Sequence, residues 1–204
     1  MLKILGICLA ALVFGALLSL NSFHLPIRPG LIAGILMIAA ASWVKQYWKR
    51  RAQVAGDEPN AAERSVWLWM VGTALITGFV IAVLFQPGSE VHTRTGDTGG
   101  YDSWLILGGM VMAYSILRDP NLQRDERDIA ISNFGTKAGY CALITLLVVF
   151  LLSLGFAPHE LMQRFTHWLI ANVLVTLIML SCLVHYIAQL ICYWMDMRHL
   201  RADP

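Results

Sequence analysis

Charge is scarce in this chain. Asp, Glu, Lys and Arg make up 14% of its 204 residues, against about 25% in soluble globular proteins. Together with a mean hydropathy of +0.62, that shortage excludes an aqueous domain as the main body of the protein. Signatures of catalysis are missing too: there is no His-Glu-x-x-His, no Gly-x-Ser-x-Gly, no phosphate-binding glycine loop and no carboxylate pair within an apolar stretch. Without a nucleophile and base or a water-activating group, the reading is of a protein that is not an enzyme. The histidines and acids lack ligand spacing, so neither metal nor cofactor is expected. A net charge of +2, with bases and acids intermixed, argues against nucleic acid as a direct partner.

What the chain has is long apolar runs. A bilayer core about 30 Å thick needs roughly 20 helical residues. Six runs approach that length: 2–20, 31–48, 66–85, 104–117, 138–156 and 168–193. Runs of this length exceed a barrel strand, and backbone in lipid must bond to itself, so the fold class is all-α, an integral membrane bundle forming one domain. The second and fourth runs are the weakest, interrupted by Gly30, Gly34, Gly108 and Gly109.

Charge distribution argues for keeping both. With six spans and the N-terminus inside, Lys3, Lys45, Lys49, Arg50, Arg51, Arg64, Arg118, Arg124, Arg127, Lys137, Arg198 and Arg201 are inside, and only Arg28, Arg94 and Arg164 are outside. That is the bias of cytoplasmic loops. The sequence therefore predicts an inner-membrane protein with both termini cytoplasmic. Trp43, Trp67, Trp69, Tyr140 and Tyr193 fall near the inner boundary, and Tyr101, Trp104 and Trp168 near the outer one. Lys3 and the first run resemble a signal peptide, but no small-x-small site precedes Asn21, which predicts a retained signal anchor. Cys8, Cys141, Cys182 and Cys192 all lie within spans, the pattern of reduced thiols.

Met37-Ile38-Ala39-Ala40-Ala41-Ser42 and Met110-Val111-Met112-Ala113-Tyr114-Ser115 share a pattern that would pair spans two and three with spans four and five as repeated hairpins. Apolar sequences match easily by chance, and chance is the better reading. The glycines of these runs are read as points of close helix approach. The stretch 87–102 is read as a flexible outer connection, and the basic cluster from Lys45 to Arg51 as topogenic charge able to touch anionic headgroups.

The densest polar feature is Arg124-Asp125-Glu126-Arg127-Asp128. Asp125 suits an N-cap for a helix starting at Glu126, with Asp128 at the capping-box position and acids at the positive helix end. Gly135 and Gly139 follow at a spacing that allows close packing. In the last span Cys182, His185, Gln189 and Cys192 form one helical stripe that should face other helices, because an amide or imidazole pointing at lipid is costly.

Asp125-Glu126-Arg127-x-x-Ala-Ile before one span, and Gln189-Leu190-x-x-Tyr193 closing the next, resemble the motifs of a family of small bacterial and archaeal integral membrane proteins of four helices. The resemblance covers about 66–198 and leaves the first two spans unmatched. The basic residues that often follow the family's tyrosine are replaced by Trp194-Met195-Asp196-Met197-Arg198. The family carries no activity over. Some relatives look as if encoded beside small DNA-binding regulators, which implies a regulatory protein partner. Matched depth further predicts that Arg127 or Asp125 contacts Gln189, Tyr193 or Asp196 at the inner face.

The resulting candidates are Asp125, Glu126, Arg127, His185, Gln189 and Tyr193. The expected role is a regulatory or assembly partner acting through cytoplasmic loops, with the bilayer, a protein at the cytoplasmic face and a second copy as its candidate partners. The alternative is a small-solute or proton transporter subunit using His185 and the glycine-interrupted spans.

Overall fold

The computed structural model describes residues 1–19, 29–55, 61–85, 99–117, 125–158 and 166–202. Among these the secondary structure is entirely helical: α1 Leu2–Ser19, α2 Pro29–Ala55, α3 Ala61–Phe85, α4 Gly99–Leu117, α5 Glu126–Gly155 and α6 His167–Ala202. The stretch read as a flexible connection lies outside the described residues up to position 98, and its last part belongs to α4. Arg124 also lies outside them. Four helices are long and apolar enough to cross a membrane: Leu2–Ser19, Ala62–Phe85, Glu126–Gly155 and Leu169–Asp196. In α4 the apolar part is shorter, Leu107–Ile116. In α2 it runs only from Leu31 to Val44 before Lys45 begins a basic segment.

Packing gives each helix a direction. Arg127 meets Asp196, while Gly139 abuts His185 and Ser181, so α5 and α6 are antiparallel. Trp69 stacks on Tyr186 while Glu63 lies close enough to Tyr193 to act on it electrostatically, so α3 is also antiparallel to α6 and parallel to α5. Ile4 and Cys8 share a cluster with Ala62, Val66 and Met70, whereas Leu18 joins Leu75 and Phe79, so α1 and α3 are parallel. Gly34 faces Gly109, and Lys45 Nζ donates to the Ile116 carbonyl at 2.5 Å, so α2 and α4 are parallel. In α4, Met110 lies against Gly72 and Tyr114 against Trp69, which makes α4 antiparallel to α3. The six helices therefore alternate in direction along the chain.

Within lipid, helix association rests on van der Waals packing rather than on expulsion of water, and small residues let backbones approach. Each principal pair carries glycine at its contact. Gly15 and Gly78 lie at the α1–α3 crossing, against the backbones of Leu75 and Leu12. Gly34 and Gly109 face one another between α2 and α4, and Gly135 and Gly139 face Gln189 and His185 between α5 and α6. A Cβ at Gly108 would meet nothing within 4 Å among the described residues, so this glycine takes no part in the contact. The repeated-hairpin pairing is not how the helices associate. The principal partners are α1 with α3, α2 with α4 and α5 with α6, and α3 also packs on α6. Met37 and Met110, the aligned residues of the two patterns, do meet in one core cluster with Leu75, Ile76 and Phe79.

Candidate functional site

The charge run opens α5 as a capped helix. Asp125 is extended at φ −79° and ψ 171°, and its Oδ1 accepts from the Asp128 amide at 2.7 Å. This satisfies one of the backbone donors that a helix start leaves without an internal partner. Glu126 occupies the first turn and is exposed. Replacing Asp125 by alanine is expected to cost about 1 kcal/mol. Thermal unfolding in detergent checks this, with Glu126→Ala as a near-neutral comparison at the exposed neighbouring position.

Asp128 does more than the sequence reading gave it. Besides its capping-box position it is 3% exposed, and its Oδ1 accepts the Tyr193 hydroxyl at 2.8 Å. The reason is helical phase. Asp128, Ile131, Gly135 and Gly139 are the buried residues of α5, spaced by three, four and four, which places them on one stripe. That stripe faces α6, so the carboxylate enters the helix contact. Tyr193 is itself 4% exposed, beside Leu190 and Ile131 in the core cluster. A buried carboxylate needs donors, and the phenol hydroxyl supplies one.

One residue earlier, Arg127 points out of this contact. Its Nε donates to Asp196 Oδ2 at 2.8 Å, with side-chain exposures of 42% and 43%. This is the predicted junction between the start of α5 and the end of α6, made by Arg127 rather than Asp125. The third participant was not foreseen. Glu63, on the first turn of α3, accepts from Trp67 Nε1 at 3.3 Å and lies within electrostatic range of both Arg127 and Tyr193. The signal for it was the length of α3 on the N-terminal side of Trp67, where an acid at the start of an apolar helix needs a cation nearby.

Gln189 and His185 lie deeper in the α5–α6 contact. Gln189 Nε2 and His185 Nε2 are 2.9 Å apart. With the amide donating, that ring nitrogen accepts and the neutral imidazole keeps its proton on Nδ1. Gly135 and Gly139 provide the room, because a Cβ at Gly135 would come 2.5 Å from Gln189 Cγ and one at Gly139 2.9 Å from His185 Cβ. The stripe turned to α5 is thus Ser181, His185 and Gln189, continued by Tyr193 and Asp196. Cys182 and Cys192 flank it, half-buried.

His185 lies midway along α6, level with Gly139 of α5. Other aromatic rings share this level. Trp69 lies 5.1 Å from Tyr114 and 6.3 Å from Tyr186, and Tyr186 meets His185 edge-on at 4.9 Å. The cluster of Glu63, Arg127, Asp128, Tyr193 and Asp196 lies beyond this aromatic layer, toward the helix ends.

Chemically the arrangement closes three helix ends on one another. Among the described residues its carboxylates meet an arginine, an indole, a phenol and a backbone amide. Comparison with models of known families, with characterised proteins and with solved structures gives no match.

Proposed function

We propose that this protein is a six-span inner-membrane protein with both termini cytoplasmic, without enzymatic activity, that acts as a regulatory or assembly partner through its inner helix ends. The observation that carries this is the locked cluster at the start of α5, the end of α6 and the start of α3. With 30 and 36 residues, α5 and α6 reach about 45 and 54 Å at 1.5 Å per residue. Both exceed a hydrocarbon core of about 30 Å. Their surplus turns lie on the side of Arg127 and Asp196, giving an ordered two-helix projection for a partner to grip.

Helix direction supports the threading. Parallel α1 and α3 are joined through α2, and parallel α3 and α5 through α4. A membrane crossed by α1, α3 and α5 in the same sense requires the chain to return twice, and α2 and α4 are the helices available. The basic bias of that side then favours the cytoplasm. Polar groups within the spans favour a packed scaffold over a transport path: Thr77, Thr176 and Ser181 donate to carbonyls of their own helices. The resemblance to the four-helix family, with its implied regulatory partner, belongs to the same proposal.

The test is retention of a partner in gentle detergent. Arg127→Ala breaks a half-exposed ion pair, so its stability cost is expected to be below about 1 kcal/mol, while the co-purified protein is lost by tenfold or more. Equal recovery of the partner by wild type and R127A, or solute flux in liposomes with no partner bound, would count against the adaptor reading.

A further inference from the structure

We propose that the outward stripe of α2 is a binding track for one anionic phospholipid, with the acyl chain along Leu36, Ala39 and Trp43 and the headgroup at Gln46, Lys49 and Arg50. The inference rests on the membrane reading above. It starts from segregation of charge. Lys45, Lys49, Arg50 and Arg51 fall within seven residues, and Pro29–Ala55 contains no acid at all. Elsewhere on the same side, Arg127 is held by Asp196.

Geometry supplies the rest. Leu36, Ala39, Trp43, Gln46 and Arg50 are spaced by three, four, three and four, so they form one helical stripe, and all five are exposed. The stripe is apolar at one end and cationic at the other, with Trp43, 68% exposed, at the change. That order matches a phospholipid: chain against leucine and alanine, glycerol level at an indole, phosphate at arginine and an amide. Lys45 fixes the depth. Its Nζ donates to the Ile116 carbonyl, two residues after Tyr114 of the aromatic layer, and neutralises the negative end of α4. From Gln46 the helix continues ten residues to Ala55, which carries Lys49 and Arg50 into the headgroup zone. An acidic protein segment would match the cations but has no use for the apolar stripe that continues from them.

The experiment uses the full chain in nanodiscs of phosphatidylcholine and phosphatidylglycerol at three to one, released into native mass spectrometry. Wild type is expected to retain phosphatidylglycerol over phosphatidylcholine by about tenfold after correction for abundance, since each cation near an anionic surface contributes about 1 kcal/mol and 1.4 kcal/mol is tenfold. The double variant K49Q/R50Q should bring the ratio near one, and K137Q, an exposed cation on α5, should leave it unchanged. Raising salt to 1 M should remove the preference from the wild type, which needs no variant to fold. Equal retention of both lipids by wild type, or a preference surviving in K49Q/R50Q, overturns the site. A chain that fails to float with vesicles in a density gradient overturns the membrane reading itself, a distinguishable outcome.

Discussion

Gly78→Val should prevent the bundle from assembling in its native form. A Cβ at Gly78 falls on the Leu12 backbone of α1, and a Cβ at Gly15 falls on the carbonyl of Leu75 in α3. At both places the obstacle is backbone, so no rotamer change relieves it. The two helices must move apart, and every contact along their crossing weakens, because dispersion falls steeply with an ångström of gap. Ile4 and Cys8 then lose their places beside Ala62, Val66 and Met70. Overpacking of a tight core costs about 1–3 kcal/mol, occasionally more, and backbone contact puts this site at the upper end. The expected result is a thermal midpoint in detergent lowered by about 6–12 °C, at 2–4 °C per kcal/mol for a chain of this size, or loss of monodisperse protein. Gly108→Ala is the internal comparison. Nothing among the described residues lies near Gly108, so alanine there should stabilise by about 0.5–1 kcal/mol through helix propensity alone. If G78V unfolded like the wild type, α1 and α3 would not cross at this point.

The Asp128–Tyr193 pair gives the second large effect. Tyr193→Phe removes the phenol donor and leaves a carboxylate that is 3% exposed short of a partner. A hydrogen bond to a charged group contributes about 1.5–3 kcal/mol. Asp128→Ala should cost a similar amount, because Asp128 has a further interaction besides Tyr193. The double variant D128A/Y193F should cost less than the sum, with a coupling energy of about 1.5 kcal/mol or more in a double-mutant cycle. Additive losses would mean that the two side chains do not meet. Arg127→Ala, one residue away but half-exposed, should destabilise far less. That contrast separates the structural member of the charge run from the member offered to a partner.

The sequence made some of this legible and hid the rest for physical reasons. The start of α5 could be read because Asp125 has a local task, one amide three residues on. The junction of Arg127 with Asp196 followed from depth, since charges at the ends of neighbouring helices meet near one level. Depth does not give phase, however. The buried stripe of Asp128, Ile131, Gly135 and Gly139 was present in the spacing, but Asp128 read only as a local acid of the helix start, because helix starts so often carry one. Glu63 was missed because it lies 64 residues upstream of Arg127 and reaches it only through the packing of α3 on α6. Pairing of the apolar helices was the least legible feature. Amphipathic patterning reports a contrast between water and core, and a helix surrounded by lipid on one side and leucine on the other presents little contrast to read. Gly15 and Gly78 were the available clue, because glycine in a helix interior costs about 1 kcal/mol relative to alanine and needs a reason such as close approach.

In the proposed threading, the cluster at the ends of α3, α5 and α6 shares the cytoplasmic side with the end of α2, and all six helices cross. Single cysteines in a background lacking Cys8, Cys141, Cys182 and Cys192 test it through labelling by a membrane-impermeant maleimide. Cysteine at Glu126 and at Gln46, both exposed, should label in inverted vesicles and stay protected in intact spheroplasts. Cysteine at Phe156, exposed at the opposite end of α5, should do the reverse. Labelling of positions 126 and 46 from opposite sides, or of 126 from outside, would contradict the account.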